Sequence, residues 1–163
     1  MNGAAGRPTV RMTNLADESA TVELARRIAE VSHAGDVIGL SGDLGVGKTR
    51  FARAFIDTLT DDGEEVPSPT FTLVQTYDSR VGTIWHFDLY RLSQATEAYE
   101  LGIEDAFAAG VALIEWPERL QELLPPERLD IAFSFVGSAT ARSARLTGHA
   151  SWAPRVQELF PNG

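Results

Sequence analysis

The sequence predicts a single α/β domain with a mixed sheet, parallel at its centre, antiparallel strands beside it, and helices on both faces. Three observations carry this. The apolar run Val37-Ile38-Gly39-Leu40 leads into a glycine-rich loop and then a helix-spaced set, Phe51, Phe55 and Leu59. A second continuous run, Val111-Ala112-Leu113-Ile114, ends in Glu115, as a central strand buried on both faces does. Alternating apolar positions at 71–77, 83–90 and 129–135, with a last strand at 142–147, supply the antiparallel partners.

In chain order, residues 1–8 are expected to be a disordered N-terminus and residues 9–160 the one domain. Residues 9–12 read as an edge strand. An amphipathic helix spans 17–34: Leu24, Ile28 and Val31 share a face, with Asp17 or Asn14 as cap. The strand at 37–40, the glycine loop and the helix beginning near Phe51 follow. Asp61-Asp62-Gly63-Glu64-Glu65 reads as a solvated acidic turn. Strands at 71–77 and 83–90 join through 78–82, and alternation places His86 and Asp88 on one face of the second. A helix at 96–109 is broken at Gly102. The strand ending at Glu115 precedes a helix at 117–124, stopped by Pro125-Pro126. The strands at 129–135 and 142–147 and a short helix at 154–160 complete the domain.

Composition bounds the function. At 163 residues the chain can bury a real core. No run reaches the roughly 18 apolar residues of a membrane span. The first residues lack an apolar signal core, so the expected location is the cytoplasm. Cysteine is absent, which excludes disulfides, thiol catalysis and cysteine-ligated zinc. His33, His86 and His149 are dispersed. With 14 basic and 23 acidic side chains, the net charge is −9 and no basic footprint for nucleic acid is visible. Protein or nucleotide partners are expected, rather than bare RNA or a membrane.

The chemistry centres on Lys48, the only lysine in the chain. It closes Gly42-Asp43-Leu44-Gly45-Val46-Gly47-Lys48-Thr49, which fits G-x-x-x-x-G-K-[ST]. Glycines let backbone N–H groups turn inward around an anion, and the following helix adds its positive end. Lysine puts a compact charge on the outer phosphates, and the Thr49 hydroxyl can ligate Mg²⁺. Strand, loop and helix give the motif its context, so the fold is that of a single P-loop NTPase domain. No N-K-x-D string that reads guanine is present, which points to ATP.

A P-loop needs a second acid and a group to orient the attacking water. Glu115, at a strand's carboxyl end, has the form of the metal-binding acid, or of a strand-end acid paired to an arginine. Asp88 is the other candidate, or a surface aspartate paired to Arg91. His86 stands between a structural and a functional role. Thr70, in Ser68-Pro69-Thr70, either senses the terminal phosphate or marks a strand entry. Trp116 reads as packing beside Glu115, and as a natural fluorescence reporter.

These blocks, with Ser68-Pro69-Thr70-Phe71-Thr72-Leu73-Val74, His86-Phe87-Asp88-Leu89-Tyr90-Arg91-Leu92 and Ile114-Glu115-Trp116-Pro117-Glu118, resemble in order and spacing the bacterial TsaE (YjeE) ATPase family. The resemblance covers roughly residues 13–147. It implies a role in making threonylcarbamoyladenosine beside the anticodon of tRNAs that read codons beginning with A. It implies an ATPase, weak without partners, that resets the TsaB–TsaD heterodimer rather than acting as the transferase. Carried over by position, Gly42, Asp43, Leu44, Gly45, Val46, Gly47, Lys48 and Thr49 would bind ATP, with Lys48 on the β- and γ-phosphates. Thr49 and Glu115 would ligate Mg²⁺, Asp88 would position or activate water, Ser68 to Phe71 would act as a switch, and Trp116 would lie near the nucleotide. Glu18 would accept from the adenine amine and Arg142 would stack or pair with phosphate. Arg50 stands where the family often has a second threonine; it would approach the phosphates or the partner.

Two other readings stay open at the level of sequence. A small-metabolite phosphotransferase would need an acceptor pocket and an arginine-rich lid, yet residues 88–115 hold only Arg91. A nucleotide-binding module without meaningful hydrolysis would use the same loop.

Overall fold

The computed structural model describes residues 6–60 and 73–161. The acidic run at 61–65, Ser68-Pro69-Thr70, the first residues of the strand expected at 71–77, and residues 1–5 of the expected disordered N-terminus lie outside them. Among the described residues, seven strands form one sheet: β1 (Thr9–Leu15), β2 (Val37–Ser41), β3 (Val74–Ser79), β4 (Gly82–Asp88), β5 (Val111–Glu115), β6 (Leu129–Phe135) and β7 (Arg142–Gly148), in the order β1-β7-β6-β2-β5-β4-β3. β2 runs parallel to β5 and β6, and β5 parallel to β4; the β3–β4, β6–β7 and β1–β7 pairs are antiparallel. The expected mixed sheet with a parallel centre is therefore the observed one.

Helices α1 (Glu18–Glu30), α2 (Lys48–Leu59) and α4 (Trp152–Leu159) cover one face; α3 (Ile103–Ala109) and two 3-10 helices, Ala95–Leu101 and Pro117–Leu123, cover the other. The central strands serve both layers through their alternation. Ile38, Leu40, Val111 and Leu113 pack under α1, α2 and α4, while Val37, Ala112 and Ile114 face α3 and the 3-10 segments. Phe51 and Phe55, one helical turn apart on α2, are fully buried against the sheet, each contributing about 1.5–3 kcal/mol.

Several boundaries differ from the sequence expectation. α1 ends at Glu30, short of 34, because Asp36 folds back to accept the His33 N–H at 2.8 Å and Gly35 takes φ +95°. Its cap is Asp17, whose carboxylate accepts the Ala20 N–H at 3.0 Å. The β3–β4 turn is only Arg80-Val81, since Asp78 and Thr83 still pair. The segments expected as helices before Gly102 and after Trp116 are 3-10 helices, the second kinked at Gln121 (φ 51°, ψ −123°). α4 begins at Trp152, ahead of Pro154, which sits in its first turn where an unbonded nitrogen costs nothing.

Candidate nucleotide-binding site

The registers align three strand ends. Leu40 of β2 stands beside Glu115 of β5, and Glu115 beside Asp88 of β4. Ligands of open α/β sheets gather outside such carboxyl ends. Between β2 and α2 the chain makes the glycine loop. Gly42 takes φ +133°, and a Cβ there would lie 2.6 Å from the Phe133 carbonyl oxygen, so the loop can press onto β6 only as glycine. Val46, 1% exposed, pins the loop to the core, and Leu44 stands out at its tip. At Gly47 (φ +123°) an added Cβ would meet nothing within 4 Å, which leaves an open cradle before α2. Among the described residues, no side chain caps the first N–H groups of α2, which leaves them available to an anion.

The Lys48 side chain curls back over this loop. Its ammonium donates to the carbonyls of Gly42 and of Asp43, the latter at 3.1 Å, and sits 3.9 Å from the centre of the Trp116 ring. Burial lowers its pKa, and Glu115 is the largest opposing influence. Thr49 donates its hydroxyl across both Glu115 oxygens, at 2.8 and 3.0 Å. Glu115 also receives His86 Nε2 at 2.7 Å, with His86 fully buried. Asp88 is buried too. Its Oδ1 accepts the Tyr90 N–H at 3.1 Å, and burial first, then the nearby Glu115, raises its pKa.

Trp116 holds a left-handed backbone (φ 63°, ψ 52°), uncommon for a bulky residue. Its N–H is fixed on the Leu40 carbonyl, and its ring meets Tyr90 at 4.9 Å. The strained turn faces the indole toward the loop. Lys48, Thr49, Arg50, Asp88, Glu115 and Trp116 together line a cleft of about 460 Å³. A second recess, of about 260 Å³, opens on the other side of the loop between Glu18, Gly45, Gly47 and Arg142. Arg50 lines both and pairs with Glu18. Arg142 donates to the Val46 carbonyl at 3.1 Å and lies over the Phe135 ring.

Every described site residue predicted from sequence thus lies on one of the two recesses or on the loop between them. Thr70 lies outside the described residues. Sequence reasoning left His86 undecided and gave no role to Leu73 or Tyr90, which also line the larger cleft. The His86–Asp88 alternation was the available signal; the β4–β5 register that sets both beside Glu115 was not.

The donor set suits Mg²⁺. Among the described residues no three His, Cys, Asp or Glu side chains gather to hold a metal unaided. Mg²⁺ instead takes one or two protein oxygens with phosphates and water. The Thr49 hydroxyl and Glu115 Oε1, 2.8 Å apart, match the spacing of about 3 Å between adjacent ligands of an octahedron with ~2.1 Å bonds.

Glycine loop, buried lysine and strand-end acids define a P-loop nucleotide-binding protein. The family model for "Threonylcarbamoyl adenosine biosynthesis protein TsaE" matches residues 15–144, and the chain belongs to that family. The chain is 38% identical over 138 residues to the tRNA threonylcarbamoyladenosine biosynthesis protein TsaE of Rickettsia conorii, covering 85% of this chain and 79% of that one. It is 33% identical over 152 residues to TsaE of Haemophilus influenzae, covering 90% and 94%. The crystal structure of Bacillus subtilis YdiB superposes with a TM-score of 0.76 at 29% identity, over 93% of this chain and 94% of that one. Among the described residues, no helix is long and apolar enough to cross a membrane.

Proposed function

We propose that this chain is a Mg²⁺-dependent ATPase of tRNA threonylcarbamoyladenosine synthesis, converting ATP to ADP and phosphate as a switch on the TsaB–TsaD complex rather than as the transferase. The observation that carries the ATPase reading is the meeting of Thr49, Glu115 and Asp88 beside the loop at adjoining strand ends. The family relationship supports the pathway.

Each residue has a separate task. The open cradle and the uncapped start of α2 receive the phosphates, and Lys48 shifts from its carbonyls to their outer oxygens. Thr49 and Glu115 would hold Mg²⁺, which when bound would supply positive charge to the phosphates. Asp88, one strand from Glu115 and with its proton affinity raised by burial, orients the attacking water and takes its proton. The recess between Glu18 and Arg142 takes the adenosine end, with Arg50 between the two halves of the nucleotide. Ser68 to Phe71, with Thr70 sensing the terminal phosphate, is the switch segment. It precedes Leu73, whose carbonyl accepts the Asp88 N–H at 2.9 Å. The net charge of −9 fits a factor whose partners hold the tRNA in the cytoplasm.

The test is phosphate release from ATP and Mg²⁺, by the chain alone and with purified TsaB–TsaD. Slow release alone, stimulated by the partners and lost in Lys48→Ala, is expected. Brisk release indifferent to the partners would remove the switch role, and ADP formation that requires a small hydroxylated acceptor and yields no free phosphate would make the protein a phosphotransferase.

A further inference from the structure

His86 is fully buried in a predominantly apolar layer, yet it is not a packing residue by chemistry. Its place follows from register. His86 stands opposite Leu113, two residues before the Asp88–Glu115 pair and on the same face of the parallel strands, so its ring reaches diagonally to the Glu115 carboxylate. Glu115 is an acceptor when ionised, so Nε2 carries the proton and donates it to Oε2 at 2.7 Å. Nδ1 has no partner among the described residues. The ring's hydrogen bonding there is thus spent on one oxygen of one carboxylate. A buried polar ring with half its capacity unmet is costly in a layer that an apolar side chain could fill.

The two Glu115 oxygens are therefore not equivalent. Both accept the Thr49 hydroxyl, at 2.8 and 3.0 Å, but Oε2 is also held from the core side by His86, which leaves Oε1 the freer of the two beside Thr49 at the cleft. Ligating carboxylates are oriented by such outer hydrogen bonds, and losing one weakens metal binding without touching the metal. We propose that His86 is a positioning residue for Mg²⁺: its Nε2–H holds Glu115 Oε2 so that Oε1 and Thr49 Oγ1 face the ion as a preset pair. The inference rests on the Mg²⁺–ATP reading of the same site.

Two substitutions separate this from a role in packing. The amide nitrogen of glutamine can reach the place of Nε2, whereas that of asparagine reaches only the place of Nδ1. Both are polar and both disturb the core. Calorimetric binding of a non-hydrolysable ATP analogue would be titrated with Mg²⁺ and repeated in EDTA, for wild type, His86→Asn, His86→Gln and Glu115→Gln. His86→Asn should raise the Mg²⁺ concentration for half-maximal binding by about 10–100-fold. His86→Gln should restore it most of the way, and affinity in EDTA should be the same for wild type and the two His86 variants. If the asparagine and glutamine variants shift the Mg²⁺ requirement equally or not at all, while Glu115→Gln raises it, His86 is a packing residue and the inference falls alone. If Glu115→Gln leaves the requirement unchanged, the Mg²⁺ reading of the site fails and takes the inference with it.

Discussion

At the amino end of β2 the buried Asp36 carboxylate meets both terminal nitrogens of Arg155, at 2.7 and 2.9 Å, and the His33 N–H at 2.8 Å. At the carboxyl end of the same sheet Lys48 and Asp88 are also buried, but among the described residues neither is paired in this way. Lys48 rests on carbonyls, and Asp88 has one backbone N–H and a raised pKa. The first arrangement ties α4 to the turn after α1, since Arg155 also donates to the Val31 carbonyl and lies over Trp152. Among the described residues, the second leaves Lys48 and Asp88 without an ion pair. Buried charge that is fully satisfied holds the fold together, whereas buried charge left partly satisfied marks where a ligand completes the set.

The contrast can be broken by exchanging the consequences. The largest expected effect is on turnover: Asp88→Asn should lower phosphate release by about 10²–10⁴-fold while nucleotide affinity holds. Asparagine can still accept the Tyr90 N–H, so a melting temperature at or above wild type is expected. An unchanged rate in a steady-state phosphate assay would take Asp88 out of the mechanism. At the opposite end, Asp36→Ala should cost about 3–5 kcal/mol in denaturant unfolding, because it strands the Arg155 guanidinium. Nucleotide affinity of the folded fraction should not move. If affinity falls with stability, the two ends are coupled and the contrast is wrong.

How much of this contrast was legible beforehand differs between the ends. The glycine loop, Lys48 and Thr49 lie within eight consecutive residues, and Glu115 closes an unmistakable apolar run, so local pattern sufficed. The pairing of Asp36 with Arg155 crosses 119 positions of sequence and left no local trace. His86 lay between these cases: strand alternation put it with Asp88, but only the parallel β4–β5 register sets it under Glu115. The 3-10 segments escaped because their apolar spacing resembles that of an α-helix, while Gly102 at φ +86° and Gln121 at φ 51° interrupt the regular turn.

A smaller effect sharpens the comparison at Lys48. Lys48→Ala should weaken nucleotide binding by about 10–100-fold, the range for a lost hydrogen bond to a charged group. Unlike Asp36→Ala, it should leave stability nearly intact. The ammonium it removes is one that burial penalises, and no acid is left stranded in a hydrogen bond to it. Calorimetric titration with ATP in Mg²⁺, beside a thermal melt, reads both quantities; undiminished affinity would overturn the phosphate-binding role.

The smallest effect lies in the pH dependence of the free protein. The folded-state pKa of Asp88 is raised above its ordinary 3.8, chiefly by burial. Between the two values the native state therefore holds more of this proton than the unfolded chain does. The stability linked to the group is fully present below 3.8 and is lost as pH rises through the raised pKa. Asparagine does not titrate, so Asp88→Asn should gain on wild type across that window and keep a constant advantage above it. Melting temperatures of the two proteins, measured without nucleotide or divalent ions, give the difference directly. A gap that narrows as pH rises would mean that the Asp88 carboxylate is held by favourable partners, like Asp36, and that the two ends of the sheet bury their acids alike.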